Sequence, residues 1–242
     1  MKANIPLMIG SLVAPSGRIF DRLDLQIAAA MVKHGSVRLL DEPEFGVSGA
    51  SLWSYVELRD DLTDHPDFVW LVGRRIARFF RQLPEREGQF NTAVLSGDQL
   101  CLVGVPTAGA PLAQAASMIS QGEGIFFGDQ PICHRVMREA EKRGEIGQWM
   151  NGPPRKNHYY CLFDNAMTTG HSIRAARERL VIAYPGMPGV VLVDRQQGGM
   201  EKTADVFSVY NLLDLSYAFW KLDIWTKKQF QKIEKEVQEN QF

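Results

Sequence analysis

The sequence predicts an α/β protein built on a central, mainly parallel sheet, and three observations predict it. Short apolar runs recur at 100–105, 159–163 and 189–194, with the length and composition of buried strands. Each run ends in a turn of glycine and small or polar residues, as at Thr107-Ala108-Gly109 and Gly198-Gly199. Helical patterns follow the first two, so from residue 92 onward strands alternate with helices, the order that makes parallel pairing possible.

In chain order, Pro6, Gly10, Pro15 and Gly17 make the first twenty or so residues an irregular lead-in. Residues 21–33 set Leu23, Ile27, Ala30 and Met31 on one helical stripe, and Gly35 is a suitable stop. After 37–40, the segments 43–49 and 52–59 read as short strands around a Ser48-Gly49 turn. Asp64 is expected to cap a helix that starts at Pro66 and runs towards Phe80, with Phe68, Leu71, Val72, Ile76 and Phe79 inward. The small residues of 111–120 suit a helix that packs closely. Residues 125–127 and 131–134 are strand-like fragments, and 135–157 is a polar stretch. Residues 173–180 read as a helix, 206–210 as a last strand, and 212–220 and 226–240 as terminal helices. With no internal repeat or low-complexity linker, the expectation is one domain over 1–242, with a lead-in and small hood in 1–60 and the core in 90–242.

The 27 basic and 28 acidic side chains of the 242 residues nearly cancel, which argues against a nucleic-acid or anionic-membrane partner. No apolar run has the length of a bilayer span, and the faintly signal-like start is broken by Pro6 and Gly10. Cys101, Cys133 and Cys161 lie in or beside apolar segments without metal-ligand spacing. They read as buried free thiols of a cytoplasmic protein.

The chemistry concentrates in the stretch from Tyr159 to Ser172. An aromatic-rich strand ends in Asp164-Asn165. Thr168, Thr169, Gly170, His171 and Ser172 then lead into the helix. A helix N-terminus preceded by glycine and hydroxyl groups is an anion site, since free amides and the helix dipole favour a phosphate there. The polar pair stands about one sugar's width away, suited to ribose hydroxyls. The plainer alternative is a capped helix in an ordinary α/β domain.

The same segment resembles the ribose-phosphate signature of type I phosphoribosyltransferases: an apolar strand, two acids, two small residues, then Thr-Thr-Gly-x-Ser. Asp194-Arg195-Gln196-Gln197-Gly198-Gly199 resembles the Asp-Arg-x-x-Gly-Gly signature of orotate phosphoribosyltransferases, including the domain fused in UMP synthases. Residues 103–113 match that family's strand and turn around pyrophosphate, 53–59 its N-terminal strand, and 237–240 its terminal helix. The resemblance spans roughly residues 21–242 and implies the type I phosphoribosyltransferase fold.

It also implies transfer of ribosyl 5-phosphate from PRPP to orotate or a related nitrogen heterocycle in pyrimidine nucleotide synthesis, with Mg²⁺ entering through PRPP near Asp164. On this resemblance Thr168, Thr169, Gly170, His171 and Ser172 bind the 5′-phosphate. Thr107, Ala108, Gly109 and Arg143 take pyrophosphate, and Arg195 takes the base. Asp164, Asn165, Arg138 and Lys142 are the catalytic set. A homodimer is implied, because the family lends a mobile loop across the subunit interface.

The departures are specific. Asn165 stands where the family has a second acid, so its amide brings no net charge. Met137 and Glu141 replace an arginine and a lysine of the mobile loop, with Arg138 on a lysine position and Lys142 and Arg143 nearby. The turn Phe45-Gly46-Val47-Ser48-Gly49 has no lysine for the base, and His134 and His171 are the histidines near the site. Asn165 also reads as a neutral turn residue, Arg195 as the ion-pair partner of Asp194, and 137–144 as a solvated mixed-charge segment. Weakened motifs keep a second function in view: a non-catalytic protein that binds PRPP or a nucleotide as a sensor or regulator.

Overall fold

The computed structural model describes residues 10–45, 51–59, 64–141 and 148–240. Its core is set by alternation along the buried strands. In β5 (Gln99–Gly104), Leu100 and Leu102 enter one hydrophobic layer, whereas Cys101 and Val103 enter the other. In β7 (His158–Met167), Cys161 and Phe163 divide from Leu162 in the same way. A strand buried on both faces must be covered by helices on both faces, and parallel pairing follows from those crossovers. With β6 (Cys133–Val136), β8 (Gly189–Asp194) and β9 (Val206–Asn211), these strands form a five-stranded sheet in the order β6-β5-β7-β8-β9, parallel throughout.

One layer is the larger. It takes α1 (Arg22–Lys33), α2 (Pro66–Gln82), α3 (Gly88–Leu95), α4 (Gly109–Glu123), α7 (Leu212–Lys221) and α8 (Lys227–Asn240), through side chains such as Ile27, Ile76, Phe90, Leu112, Leu215 and Ile233. The opposite face is covered by α5 (His171–Leu180) through Ile173, Ala176 and Leu180, joined by Met137 and Met150. The four-residue α6 (Gly199–Lys202) follows β8. A hood strand pair, β3 (Val37–Phe45) with β4 (Ser51–Val56), lies ahead of the core and is antiparallel.

Several expectations change. The described part of the lead-in forms a hairpin of β1 (Leu12–Val13) and β2 (Ile19–Phe20), which the fully buried Phe20 pins. The N-cap of α2 is His65, not Asp64. His65 ahead of Pro66 is held out of the helical conformation, and proline's missing N–H costs nothing at the first helical position. Strand β7 does not stop before Asp164 but continues to Met167, since the ladder with β8 persists through Asp164↔Val191 and Met167↔Asp194. The polar stretch gives Arg135 and Val136 to β6, and Met137 bridges Met150. Helices α3 and α6 lack strong local start signals: no side chain caps either one. The Ser48-Gly49 turn, Lys142 and Arg143 lie outside the described residues. Among the described residues, no helix is long and apolar enough to cross a membrane.

Candidate functional site

The cleft is a consequence of where two ladders end. Strands β5 and β7 pair as far as Gly104↔Phe163, whereas β7 and β8 stay paired to Met167↔Asp194. From β5 the chain proceeds to β6 on one side and then to β7 on the other, so the sheet reverses its winding between β5 and β7. Ligands of open α/β sheets bind at the carboxyl end of that switch point. There the turn through Pro106, Thr107 and Ala108, with a cis peptide at Pro106-Thr107, leaves a cavity of about 450 Å³. Thr107, Ala108, Asp164, Asn165, Thr168, Ser172 and Arg195 all line it.

Asp164 is buried beside this cavity, and its carboxylate accepts the Asn165 backbone N–H at 2.8 Å. Burial pushes the carboxyl up to about 7, against that N–H and the nearby Arg59 charge, both of which favour the ionised form. The group therefore changes charge near neutrality. Asn165 has a different task from the one its sequence position suggests. Its Nδ2 donates to the Glu57 carbonyl at 2.6 Å, tying the end of the hood to the core. A carboxylate there would set an acceptor against an acceptor, which is a physical reason for the amide.

The phosphate loop is built around Gly170. Its φ of 76° is left-handed, and an added Cβ would come within 2.2 Å of Thr203 Oγ1. Arg174, one turn into α5, reaches back to the Thr169 carbonyl at 2.7 Å and to Thr203 Oγ1 at 2.8 Å, fixing the loop from behind. No side chain caps α5, so its first amides keep their donors for an anion. Thr168 and Ser172 line the main cavity and His171 the adjoining one. The side chain of Thr169 lines neither, its carbonyl serving the arginine clamp. Gly109 lines neither of these two cavities. Its requirement is close approach, because a Cβ there would lie 2.1 Å from the Phe163 carbonyl oxygen.

Arg195 closes the opposite side. Its Nη2 donates to the Ser54 carbonyl at 2.9 Å, and the Glu236 carboxylate stands 4.0 Å away. Among the described residues its Nε is buried without a hydrogen-bond partner, on a side chain that lines the cavity. A donor of this kind is costly to leave unpaired. The ion-pair alternative with Asp194 is not realised: Asp194 instead accepts the Gln196 N–H at 2.9 Å, and burial moves its carboxyl up to about 6. Glu236 itself accepts from Trp53 N–H at 2.7 Å, Ser54 Oγ at 3.2 Å and Gln197 Nε2 at 3.4 Å. One buried carboxylate on α8 thus holds the hood strand and the arginine together.

An adjoining cavity of about 400 Å³ shares Arg59, Pro106, Thr107 and Ser172 with the first and adds His171, Glu139 and Arg179. Arg138 lines neither cavity. Its backbone N–H bonds the Trp149 carbonyl at 2.7 Å, and the neighbouring Met137 is buried in the layer beneath α5. His134 also lines neither, being held in β6 opposite Leu102. Sequence reasoning passed over Tyr55, Glu57, Arg59, Gln197 and Glu236, although 53–59 and the terminal helix carried a resemblance. Among the described residues, no three His, Cys, Asp or Glu side chains converge as a metal cage. A Mg²⁺ held mainly by substrate phosphates, with one or two carboxylates, suits a cleft lined by Asp164 and Glu57.

No family model matches the chain. The orotate phosphoribosyltransferase of Aquifex aeolicus is 24% identical over 200 residues, covering 80% of this chain and 97% of the relative. The structure of Leishmania donovani UMP synthase superposes with a TM-score of 0.64 at 22% identity, over 89% of this chain and 42% of that longer one. An orotate phosphoribosyltransferase from Francisella tularensis gives a TM-score of 0.61 at 16% identity, over 91% of this chain and 98% of the other. The chain therefore has the type I phosphoribosyltransferase fold, and over most of its length it is similar in sequence to an orotate phosphoribosyltransferase.

Proposed function

We propose that this protein is a phosphoribosyltransferase that joins the ribosyl 5-phosphate of PRPP to a ring nitrogen of an acidic heterocycle, with orotate as the leading acceptor. The observation that carries this reading is one cleft lined by the amide-rich start of α5, by Asp164 and by Arg195 with its unpartnered buried Nε. In the reaction the bond from C1′ to pyrophosphate breaks and a bond to the base nitrogen forms, the electron pair leaving on pyrophosphate and the proton of that ring nitrogen passing to solvent.

The 5′-phosphate sits at the α5 N-terminus against Thr168 and Ser172. Ionised Asp164 accepts from a ribose hydroxyl and adds negative charge beside the developing oxocarbenium centre. Arg195 offers its planar donors to a base carboxylate. Arg59, which lines both cavities, supplies positive charge on the pyrophosphate side, where Met137 stands in place of a family arginine. Bound Mg²⁺ neutralises leaving-group charge, with Asp164 and Glu57 as the carboxylates within the cleft. A homodimer and a cytoplasmic location belong to the same proposal, the latter supported by three unbonded thiols.

The test is Mg²⁺-dependent pyrophosphate release from PRPP, first with orotate and then with a panel of purine and pyrimidine bases. Arg59→Ala is expected to lower kcat/KM by about a hundredfold. Silence with every base in a folded sample would overturn the transferase. Met137, which lines the second cavity where the family resemblance expects an arginine, and the commitment of Asn165 to a backbone carbonyl favour one second reading: a protein that binds PRPP without turning it over. PRPP binding measured by calorimetry in that silent sample separates the two.

A further inference from the structure

A larger cavity, of about 620 Å³, shares no lining residue with the cleft. It is formed by the β1–β2 hairpin, the start of α1, the end of α2 and the segment after it, with Ser208 of the edge strand β9. Five guanidinium groups line it, those of Arg18, Arg75, Arg78, Arg81 and Arg86, against the two carboxylates of Asp21 and Asp24. The chain as a whole carries a net charge of −1, so this positive excess is local.

Both carboxylates are already engaged. Asp24 Oδ1 takes Arg75 Nε at 2.6 Å and the Tyr210 hydroxyl at 2.7 Å. Asp21 caps α1 through the Asp24 N–H at 3.0 Å and meets Arg78 at 3.5 Å. Arg18 donates to the Val209 carbonyl on β9. Among the described residues, the side chains of Arg81 and Arg86 have neither an ion pair nor a hydrogen bond. The helix dipole accounts for Arg81 in the last turn of α2. It does not account for Arg75, Arg78 and Arg81 at three-residue intervals, where like charges repel, nor for Arg18 and Arg86 meeting them from other segments. Guanidinium forks match phosphate oxygens two at a time, and the cavity has the size of a small-molecule site.

We propose that the N-terminal hairpin and the end of α2 form a second ligand site, separate from the ribose-phosphate cleft, for a polyphosphate-bearing anion. The lead-in thereby gains a task that the transfer reaction does not give it. Free inorganic polyphosphate and a nucleoside triphosphate present the same group, and the probes distinguish them.

The experiment titrates tripolyphosphate and ATP separately into the full chain by calorimetry at low ionic strength. It repeats both titrations with Arg81→Gln/Arg86→Gln and with Thr168→Ala/Ser172→Ala. Arg81 and Arg86 are exposed side chains, so the fold tolerates their replacement, which circular dichroism checks. Arg86→Glu, outside the helices, provides an independent variant. The expected result is binding weakened about tenfold or more by the arginine variants and retained by the cleft variant. Tighter binding of ATP than of tripolyphosphate identifies a nucleotide site, and the reverse identifies free polyphosphate. No binding of either probe, or loss in the cleft variant with the arginine variants unchanged, would sink the proposal. Neither result depends on whether PRPP is turned over.

Discussion

Arg195 is the side chain whose surroundings say most about the ligand. A buried guanidinium is ordinarily surrounded by acceptors, yet here one Nη donates to a backbone carbonyl, a carboxylate stands at the limit of an ion pair, and Nε is left over. Burial favours losing the charge, and Glu236 opposes that loss. A carboxylate-bearing base would supply the missing acceptor. Arg195→Lys keeps the charge but removes the fork. It is expected to raise the KM for the acceptor about tenfold to a hundredfold while leaving the KM for PRPP near its original value. Steady-state kinetics with each substrate varied in turn checks this, and equal effects on both substrates would remove Arg195 from the base site.

The start of α5 works because loop, helix and clamp arrive together. Gly170 supplies the left-handed turn, the helix leaves its amides open, and Arg174 holds the loop's carbonyl from behind. Gly170→Ala would force a Cβ into Thr203 Oγ1 in a conformation that L-residues avoid. We expect a loss of at least about 2 kcal/mol in denaturant unfolding, together with weaker PRPP binding. This element was the most legible part of the sequence. Its glycine, hydroxyls and helix lie within a few residues of one another, and local chemistry dictates local shape. The buried strands were legible for the same reason, although the end of β7 was not, because pairing with β8 rather than local composition carries it to Met167. Glu57, Arg59 and Glu236 come to the cleft from distant segments, and the resemblance of 53–59 and of the terminal helix gave none of them a role. Asn165 shows the limit most clearly. Its identity follows from a carbonyl more than a hundred residues earlier in the chain, a contact only the folded molecule creates.

At the scale of the whole molecule, the fold keeps three carboxyl groups out of water around one cleft, and that shapes its stability. Burial raises Asp164 to about 7 and Asp194 to about 6, and it moves Glu236 upward too, against the Trp53 N–H and Arg195. An aspartate in the unfolded chain titrates near 3.8. Below that value Asp164 is protonated in both states, and its contribution to stability is fully present. Between there and about 7 the unfolded chain has released a proton that the folded chain still holds, so stability falls as pH rises. Above the folded value the difference is constant. Asp164→Asn abolishes this titration, so the variant should gain on the wild type by about 2 kcal/mol between roughly pH 5 and pH 8 in urea unfolding. A constant difference across that range would show that Asp164 is not held protonated. Substrate should act in the opposite direction to burial. A cation brought into the cleft with PRPP favours ionised Asp164, so binding near neutrality should release a proton. Calorimetry in buffers of different ionisation enthalpy reads that release, and Asp164→Asn should abolish it. The same burial that costs stability at neutral pH would then hold the carboxyl ready to take up its charge only when the ribose and its phosphates are in place.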